Sequence, residues 1–347
     1  MAQPVILSLD QGTTSTRCLA VDVKGAIVAS AQRELEQHYP SPGWVEHDGQ
    51  RIWQDALFCL RETVSALGGN FSPAAIGITN QRETTLIWDR ATGEPIHRAL
   101  VWQDRRTGAF CERLKAKGHE STITEKTGLL LDPYFSGSKI AWILEHVDGA
   151  RARAERGELA FGTVETFLLW HLTGGEQHLS DETNAARTSL WNIHSGAWDE
   201  ELLKLFDVPP SILPDVVVSA GRFGETASEI LGKPVPICGM AGDQQSASFG
   251  QLCLSRGEMK ATYGTGCFVL MNTGSDAKAS KNKLLTTRAC RIDGDPQFAL
   301  EGSIFMAGAI SQWLRDEMGL IGDTTEIGAL AGSVGDTGGV YLVPAFT

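Results

Sequence analysis

Two turns rich in glycine and hydroxyl side chains, each set between apolar strand-like runs, constrain this chain more than any other feature. The first is Asp10-Gln11-Gly12-Thr13-Thr14-Ser15-Thr16-Arg17, and the second is Thr262-Tyr263-Gly264-Thr265-Gly266-Cys267. Flanking strands make each a tight hairpin. Glycine lacks the Cβ that would hold an anion away from the backbone. Successive N–H groups in such a turn form an anion-binding concavity, and the hydroxyls add donors. Asp10, at the end of the first strand, supplies a carboxylate suited to a hydrated Mg²⁺ beside phosphates. Two facing turns would hold a nucleotide across a cleft between two lobes. Either turn alone reads more plainly as a solvated hairpin.

The 347 residues suit about two domains. With 30 Lys and Arg against 42 Asp and Glu, the net charge is −12. No dense basic stretch offsets it, which excludes a broad nucleic-acid surface. Arg151, Arg153 and Arg156 are interrupted by Glu155 and Glu158 and read as an exposed helix face. The seven cysteines are scattered without C-x-x-C spacing, so they fit neither a zinc site nor a disulfide framework. Buried, reduced thiols are expected. No apolar run approaches the ~20 residues of a membrane helix, and no signal-peptide pattern precedes the first strand. The expected location is the cytoplasm, with no membrane partner.

Along the chain, residues 5–9, 18–23 and 26–35 read as a three-stranded meander. Asp48 caps a helix over 49–67, whose Ile52, Trp53, Ala56, Leu57, Leu60, Val64 and Leu67 share one face, and Gly68-Gly69 stops it. A strand over 75–79 and a hairpin of 84–89 with 96–102 follow. This grammar implies an α/β fold, a mixed sheet with helices packed on it. The middle is more helical, with pieces at 138–146 and 165–172. Strands resume at 235–240, 259–262, 268–272, 284–291 and 297–300, followed by a helix over 303–318 and a last apolar run at 340–344. The expected boundary between lobes separates 1–245 from 246–347.

Neither G-x-x-x-x-G-K-[ST] nor a strand-to-helix G-x-G-x-x-G is present, so phosphate-loop and dinucleotide sites are unsupported. Asn80-Gln81-Arg82-Glu83 instead puts a cation and an anion at a strand tip, where Arg donates to and Glu accepts from neighbouring hydroxyls of a polyol. A charged, solvated turn is the plainer reading. Val101-Trp102-Gln103-Asp104 ends another strand with a flat apolar face beside polar donors. In Gly242-Asp243-Gln244-Gln245 an acid just past a strand is flanked by small and polar residues, an open setting for a base that must reach a substrate hydroxyl. It equally suits a helix cap.

Taken together, Asp10–Ser15, Asn80-Gln81-Arg82-Glu83-Thr84-Thr85, Trp102-Gln103-Asp104-Arg105-Arg106, Gly242-Asp243-Gln244-Gln245 and Tyr263-Gly264-Thr265-Gly266-Cys267-Phe268 resemble the glycerol-phosphorylating members of the FGGY carbohydrate kinases. The stretch from Tyr134 to His146 is also similar to a signature of that family, and the likeness runs in order along the chain. The resemblance implies a two-lobed actin/hexokinase-like (ribonuclease H-like) ATPase fold, with ATP and Mg²⁺ as cofactors and glycerol as substrate. It implies Asp243 as general base. Arg82, Glu83, Tyr134, Asp243 and Gln244 would hold glycerol, with Trp102 and Phe268 against its carbons. Thr13, Thr14, Ser15 and Arg17 would meet nucleotide phosphates from one side, Thr265, Gly308 and Gln312 from the other, with Asp10 near Mg²⁺. A homodimer or homotetramer is the implied assembly. The alternatives are a kinase of a pentose or another polyol, or a non-catalytic actin-like nucleotide-binding protein, which would need neither Asp243 nor the Arg-Glu pair.

Two departures stand out. Family members continue beyond the point reached here, including an adenine-contacting segment, so the expectation is a C-terminally truncated second lobe and a chain inactive by itself. Some bacterial relatives bind fructose 1,6-bisphosphate through a Gly-rich, Arg-containing loop. The matching stretch here, residues 230–236, is short and lacks Arg, which gives that control no basis.

Overall fold

A computed structural model describes residues 2–264 and 266–343. The opening meander forms as expected, with strands Gln3–Gln11, Ser15–Asp22 and Ile27–Glu34 paired antiparallel. Phe71–Asn80 and then Ile237–Gly242 add to the other side in parallel, completing a five-stranded mixed sheet. Register sets Gln11 opposite Asn80 and Asn80 opposite Gly242. Three parallel strands therefore end together, and in open α/β sheets ligands bind beyond the carboxyl ends of the strands.

Helix Gly49–Ala66 covers this sheet. Its cap is Asp48, whose Oδ1 accepts from Gln50 N at 2.9 Å and Arg51 N at 3.2 Å. Ile52, Ala56, Cys59 and Leu60 are fully buried against Leu7, Leu9, Cys18, Ile76 and Ile78, while Trp53, Leu57 and Val64 pack at the margin. The stripe at helical spacing is what the sheet buries.

A second core, around Ile87, Leu100, Ile140, Ile143, Phe161 and Phe206, holds helices Ser136–His146 and Glu200–Phe206. Helix Val164–Leu172 forms where the sequence places it and packs into the first core. The expected hairpin at 84–102 is only partly realised. Its turn forms, with Asp89 Oδ1 accepting from Ala91 N and Thr92 N. The regular partner of Leu86–Asp89, however, is Leu159–Gly162 on one edge. The local pairing persists on the other edge but irregularly, with Asp89 N donating to Glu94 O at 3.0 Å, Ile96 N to Ile87 O at 2.9 Å, and Thr85 and Leu100 exchanging both bonds.

Beyond the helix Asp243–Gly250 lies a four-stranded antiparallel sheet, in the order Met259–Tyr263, Cys267–Gly274, Phe298–Ile304, Leu285–Arg288. The helix expected over 303–318 begins only at Gly308 and ends at Asp316. Ser303 and Ile304 stay in strand conformation because they pair with Phe268 and Cys267. The apolar run at 340–343 forms no strand and is exposed, and Pro344 lies outside the described residues. Among the described residues no helix is long and apolar enough to cross a membrane. All seven cysteines are free, five of them buried.

Candidate active site

Where the parallel strands of the first sheet end, the chain surrounds a cavity of about 330 Å³. Thr13, Thr14, Arg82, Glu83, Trp102, Tyr134, Asp243, Gln244, Gly264, Gly266 and Phe268 all line it, so segments from both turns and every quoted polyol motif converge. Gln37, Tyr39, Gln81, Gln103 and Thr262 complete the wall.

The first turn is closed by Gly12 N donating to Ser15 O at 2.9 Å. Gln81, at the end of the neighbouring strand, braces it by donating to Gln11 Oε1 and to the Gly12 carbonyl. In the second turn Gly264 N donates to Gly266 O at 2.8 Å, and Gly308 N donates to the Gly264 carbonyl at 2.9 Å. A Cβ on Gly308 would sit 2.6 Å from that carbonyl oxygen, so glycine lets the helix start touch the turn. Thr265 lies outside the described residues. Ser15, Arg17, Gly308 and Gln312 do not line the cavity; Ser15 and Gly308 touch the turns through the bonds just described, and Gln312 lies in the helix Gly308–Asp316. Asp10 Oδ2 accepts from Arg17 Nη2 at 2.7 Å, a half-exposed pair at the edge of the first turn.

Elsewhere the cavity wall is charged, and Arg82 and Glu83 in it are buried. Arg82 crosses the end of strand Ile237–Gly242, and a Cβ on Gly242 would lie 2.5 Å from Arg82 Cγ. Arg82 Nε is 3.3 Å from Asp243 Oδ1 and 3.7 Å from Glu83 Oε1. Asp243 is the first residue of its helix, whose N-cap is Gly242 with no side-chain cap bond; its Oδ1 accepts from the adjacent Gln244 N at 2.7 Å, so the helix-cap reading does not hold here. Surrounding protein desolvates its carboxyl and, against the pull of Arg82, pushes it up to about 6, although 39% of the side chain still meets the cavity. A carboxyl poised there is ionised at neutral pH yet more basic than an ordinary Asp.

Trp102, Tyr134, Phe268 and Phe305 form an aromatic wall, with Trp102 5.8 Å from Tyr134 and 6.0 Å from Phe268 between ring centres. The Trp102 indole N–H donates to Thr13 Oγ1 at 2.9 Å, joining that wall to the first turn. Lys139 supports Tyr134 from behind by donating to the carbonyls of Tyr134 and Phe135 at 2.6 and 3.2 Å. Burial lowers its ammonium to about 8.

Two side chains beside Arg82 and Glu83 escape sequence reasoning, Arg187 and Glu301. Arg187 Nε donates to Glu83 Oε1 at 2.7 Å, and Glu301 takes hydrogen bonds from both Arg82 and Arg187. Arginine pairing overrides the cost of burial and holds the Glu301 carboxyl down to about 2.

Known proteins share this arrangement. The model of the FGGY family of carbohydrate kinases matches with its N-terminal domain over residues 5–250 and its C-terminal domain over 259–347. The glycerol kinase of Deinococcus radiodurans is 57% identical over 342 residues, 98% of this chain and 68% of that protein. That of Methylobacterium nodulans is 58% identical over 343 residues, 99% of this chain and 68% of its own length. A crystal structure of Plasmodium falciparum glycerol kinase with ADP superposes with a TM-score of 0.91 at 38% identity, covering 99% of this chain and 69% of that one. Xylulose kinase from Rhodospirillum rubrum, at 22% identity, shares the fold with a TM-score of 0.84 over 95% of this chain and 67% of its own. With both family models in register on the strands that build the cavity, this chain belongs to the FGGY family of carbohydrate kinases.

Proposed function

We propose that this chain carries the polyol site and the phosphate turns of an ATP:glycerol 3-phosphotransferase, whose reaction converts glycerol and ATP to sn-glycerol 3-phosphate and ADP. The observation that carries this reading is one cavity lined by Arg82, Glu83 and Asp243 together with residues of both hydroxyl turns. Buried Arg and Glu side by side offer a donor and an acceptor to adjacent hydroxyls, and the aromatic wall suits a short carbon chain. The high identity to glycerol kinases supports glycerol over a pentose.

In the reaction, a glycerol hydroxyl oxygen bonds to the γ-phosphorus, the bond from that phosphorus to ADP breaks, and the hydroxyl proton passes to Asp243. Phosphoryl transfer asks the protein chiefly for positioning and charge stabilisation. Arg82, Glu83, Tyr134 and Gln244 hold the polyol so that one hydroxyl faces Asp243, with Trp102 and Phe268 against its carbons. Thr13, Thr14, Ser15 and Arg17 on one side, and Thr265, Gly308 and Gln312 on the other, take the phosphates. Mg²⁺, when bound, neutralises charge on the phosphates. A dedicated cage is not needed for it, since one carboxylate plus phosphates and water is the usual arrangement. Asp10 fits, because its Oδ1 carries no hydrogen bond among the described residues while Oδ2 serves Arg17.

The family-model bounds support dividing the chain into a first lobe of 1–245 and a second of 246–347. A cytoplasmic homodimer or homotetramer is the proposed setting. A coupled assay of ADP release on glycerol, xylulose and gluconate, run on this chain and on a form extended to the length of its relatives, tests the function. The highest kcat/KM is expected on glycerol, and a higher value on the pentose would overturn the substrate while leaving the family intact.

A further inference from the structure

Arg82 has five N–H groups, and most are already committed. Nη1 donates to Glu301 Oε2 at 2.5 Å and to Gln245 Oε1 at 3.3 Å. Nη2 donates to Glu301 Oε1 at 3.1 Å and meets Tyr134 Oη at 3.5 Å. The Nε edge remains, turned to Asp243 and Glu83, the two carboxylates that line the cavity. A two-point Glu301 grip of this kind fixes the guanidinium plane as well as its charge. Arg187 extends the grip, with Nη2 donating to Glu301 Oε1 at 2.8 Å and Nε to Glu83 Oε1 at 2.7 Å.

Glu301 does not come from the same part of the fold as the groups it holds. It lies on strand Phe298–Ile304 of the second sheet, whereas Arg82, Glu83 and Arg187 all precede residue 245. Ser303, on the same strand, donates to Glu301 Oε1 at 2.9 Å and pairs with Phe268 beside the second hydroxyl turn. A fully buried charge cluster is a poor way to gain stability, because desolvation offsets most of the attraction. Preorganising a binding site is a better reason to keep one.

We infer that Glu301 is a positioning residue for the polyol site, setting the donor edge of Arg82 directly and the carboxylate of Glu83 through Arg187. It touches neither glycerol nor phosphate, and it ties the sheet that carries the second turn to the substrate end of the cavity. The inference rests on the glycerol-kinase reading above.

The test varies glycerol and ATP separately in steady-state kinetics, with glycerol binding followed by calorimetry without nucleotide. Glu301→Gln keeps shape and removes the charge. Glycerol KM and Kd should rise at least ~30-fold, the low end of the cost of unpairing a buried charge, while ATP KM moves far less. Arg187→Met should show the same split. If Glu301→Gln does not fold, Ser303→Ala loosens Glu301 by one hydrogen bond and should raise glycerol KM about threefold with ATP KM unchanged. Equal losses for both substrates, or an unchanged glycerol KM in a folded variant, would overturn the inference. Should the wild-type protein prefer a pentose, the glycerol reading fails, and the same split measured on that pentose still decides the role of Glu301.

Discussion

At the polyol end of the cavity, Arg82, Glu83, Arg187 and Glu301 are each at most 2% exposed and locked to one another by ion pairs. At the phosphate end, Thr14 and Gly264 are exposed, and the nearest charged pair, Arg17 with Asp10, has side chains 46% and 30% exposed. On the proposed function, the difference follows from what each group of residues recognises. Glycerol is small and neutral, so only a rigid set of donors and acceptors can orient it. A nucleotide brings its own charge, so backbone N–H groups and hydroxyls on adjustable turns suffice, with lobe closure to exclude water. Substitutions at the buried end should therefore cost more than those at the open end.

The largest effect is expected for Asp243→Asn, which keeps size and hydrogen-bonding reach but removes the proton acceptor. Turnover should fall ~10²–10⁴-fold with glycerol binding changed less. Near-normal kcat in the folded variant would leave Asp243 with only its hydrogen bond to Gln244 N at the helix start. Next is Arg82→Lys, which retains charge but loses the planar fork gripped by Glu301. Glycerol KM should rise ~10²-fold while ATP KM holds. An equal rise in both would mean the two ends are not built differently after all.

The pH dependence is gentler. The Asp243 carboxyl is raised to about 6 from 3.8, first by desolvation. It acts as a base only when ionised, so kcat/KM should fall about tenfold per pH unit below about 6 and level off above it. The stability effect has the opposite sign. A raised native pKa means that the folded state binds the proton more tightly, so the contribution of Asp243 is present below 3.8 and lost as pH rises through about 6. Asp243→Asn should accordingly melt no lower than wild type at neutral pH, and a marked drop in Tm would argue against a desolvated base.

Much of this site was legible because three parallel strands each end in a polar motif at Gln11, Asn80 and Gly242, and parallel pairing aligns such ends. Arg187 and Glu301 were not legible in the same way. Arg187 leaves a four-residue helix, Glu182–Ala185, with no motif around it. Glu301 stands in the run Phe298-Ala299-Leu300-Glu301, and a single acid at an inward strand position was the available signal, since it requires a buried cation. The helix placed over 303–318 began too early for a related reason. Pairing of Ser303 and Ile304 with the strand after the second turn is long-range, and local apolar spacing does not report it.

The smallest expected effect tests whether the two ends are separate at all. Trp102 belongs to the aromatic wall of the polyol end, yet its indole N–H donates to Thr13 in the first turn at 2.9 Å. Trp102→Phe keeps an aromatic face beside Tyr134 and Phe268 and removes only that donor and part of the ring. Losing one such hydrogen bond is worth about 1 kcal/mol, or about fivefold. If the bond joins the ends, both glycerol KM and ATP KM should rise by about that factor, and Thr13→Ala should raise them similarly. The variant carrying both substitutions should then be little worse than either alone, because each removes the same interaction. Additive losses, or a change confined to glycerol KM, would show that the ends work independently and that the indole nitrogen serves only to fix the ring.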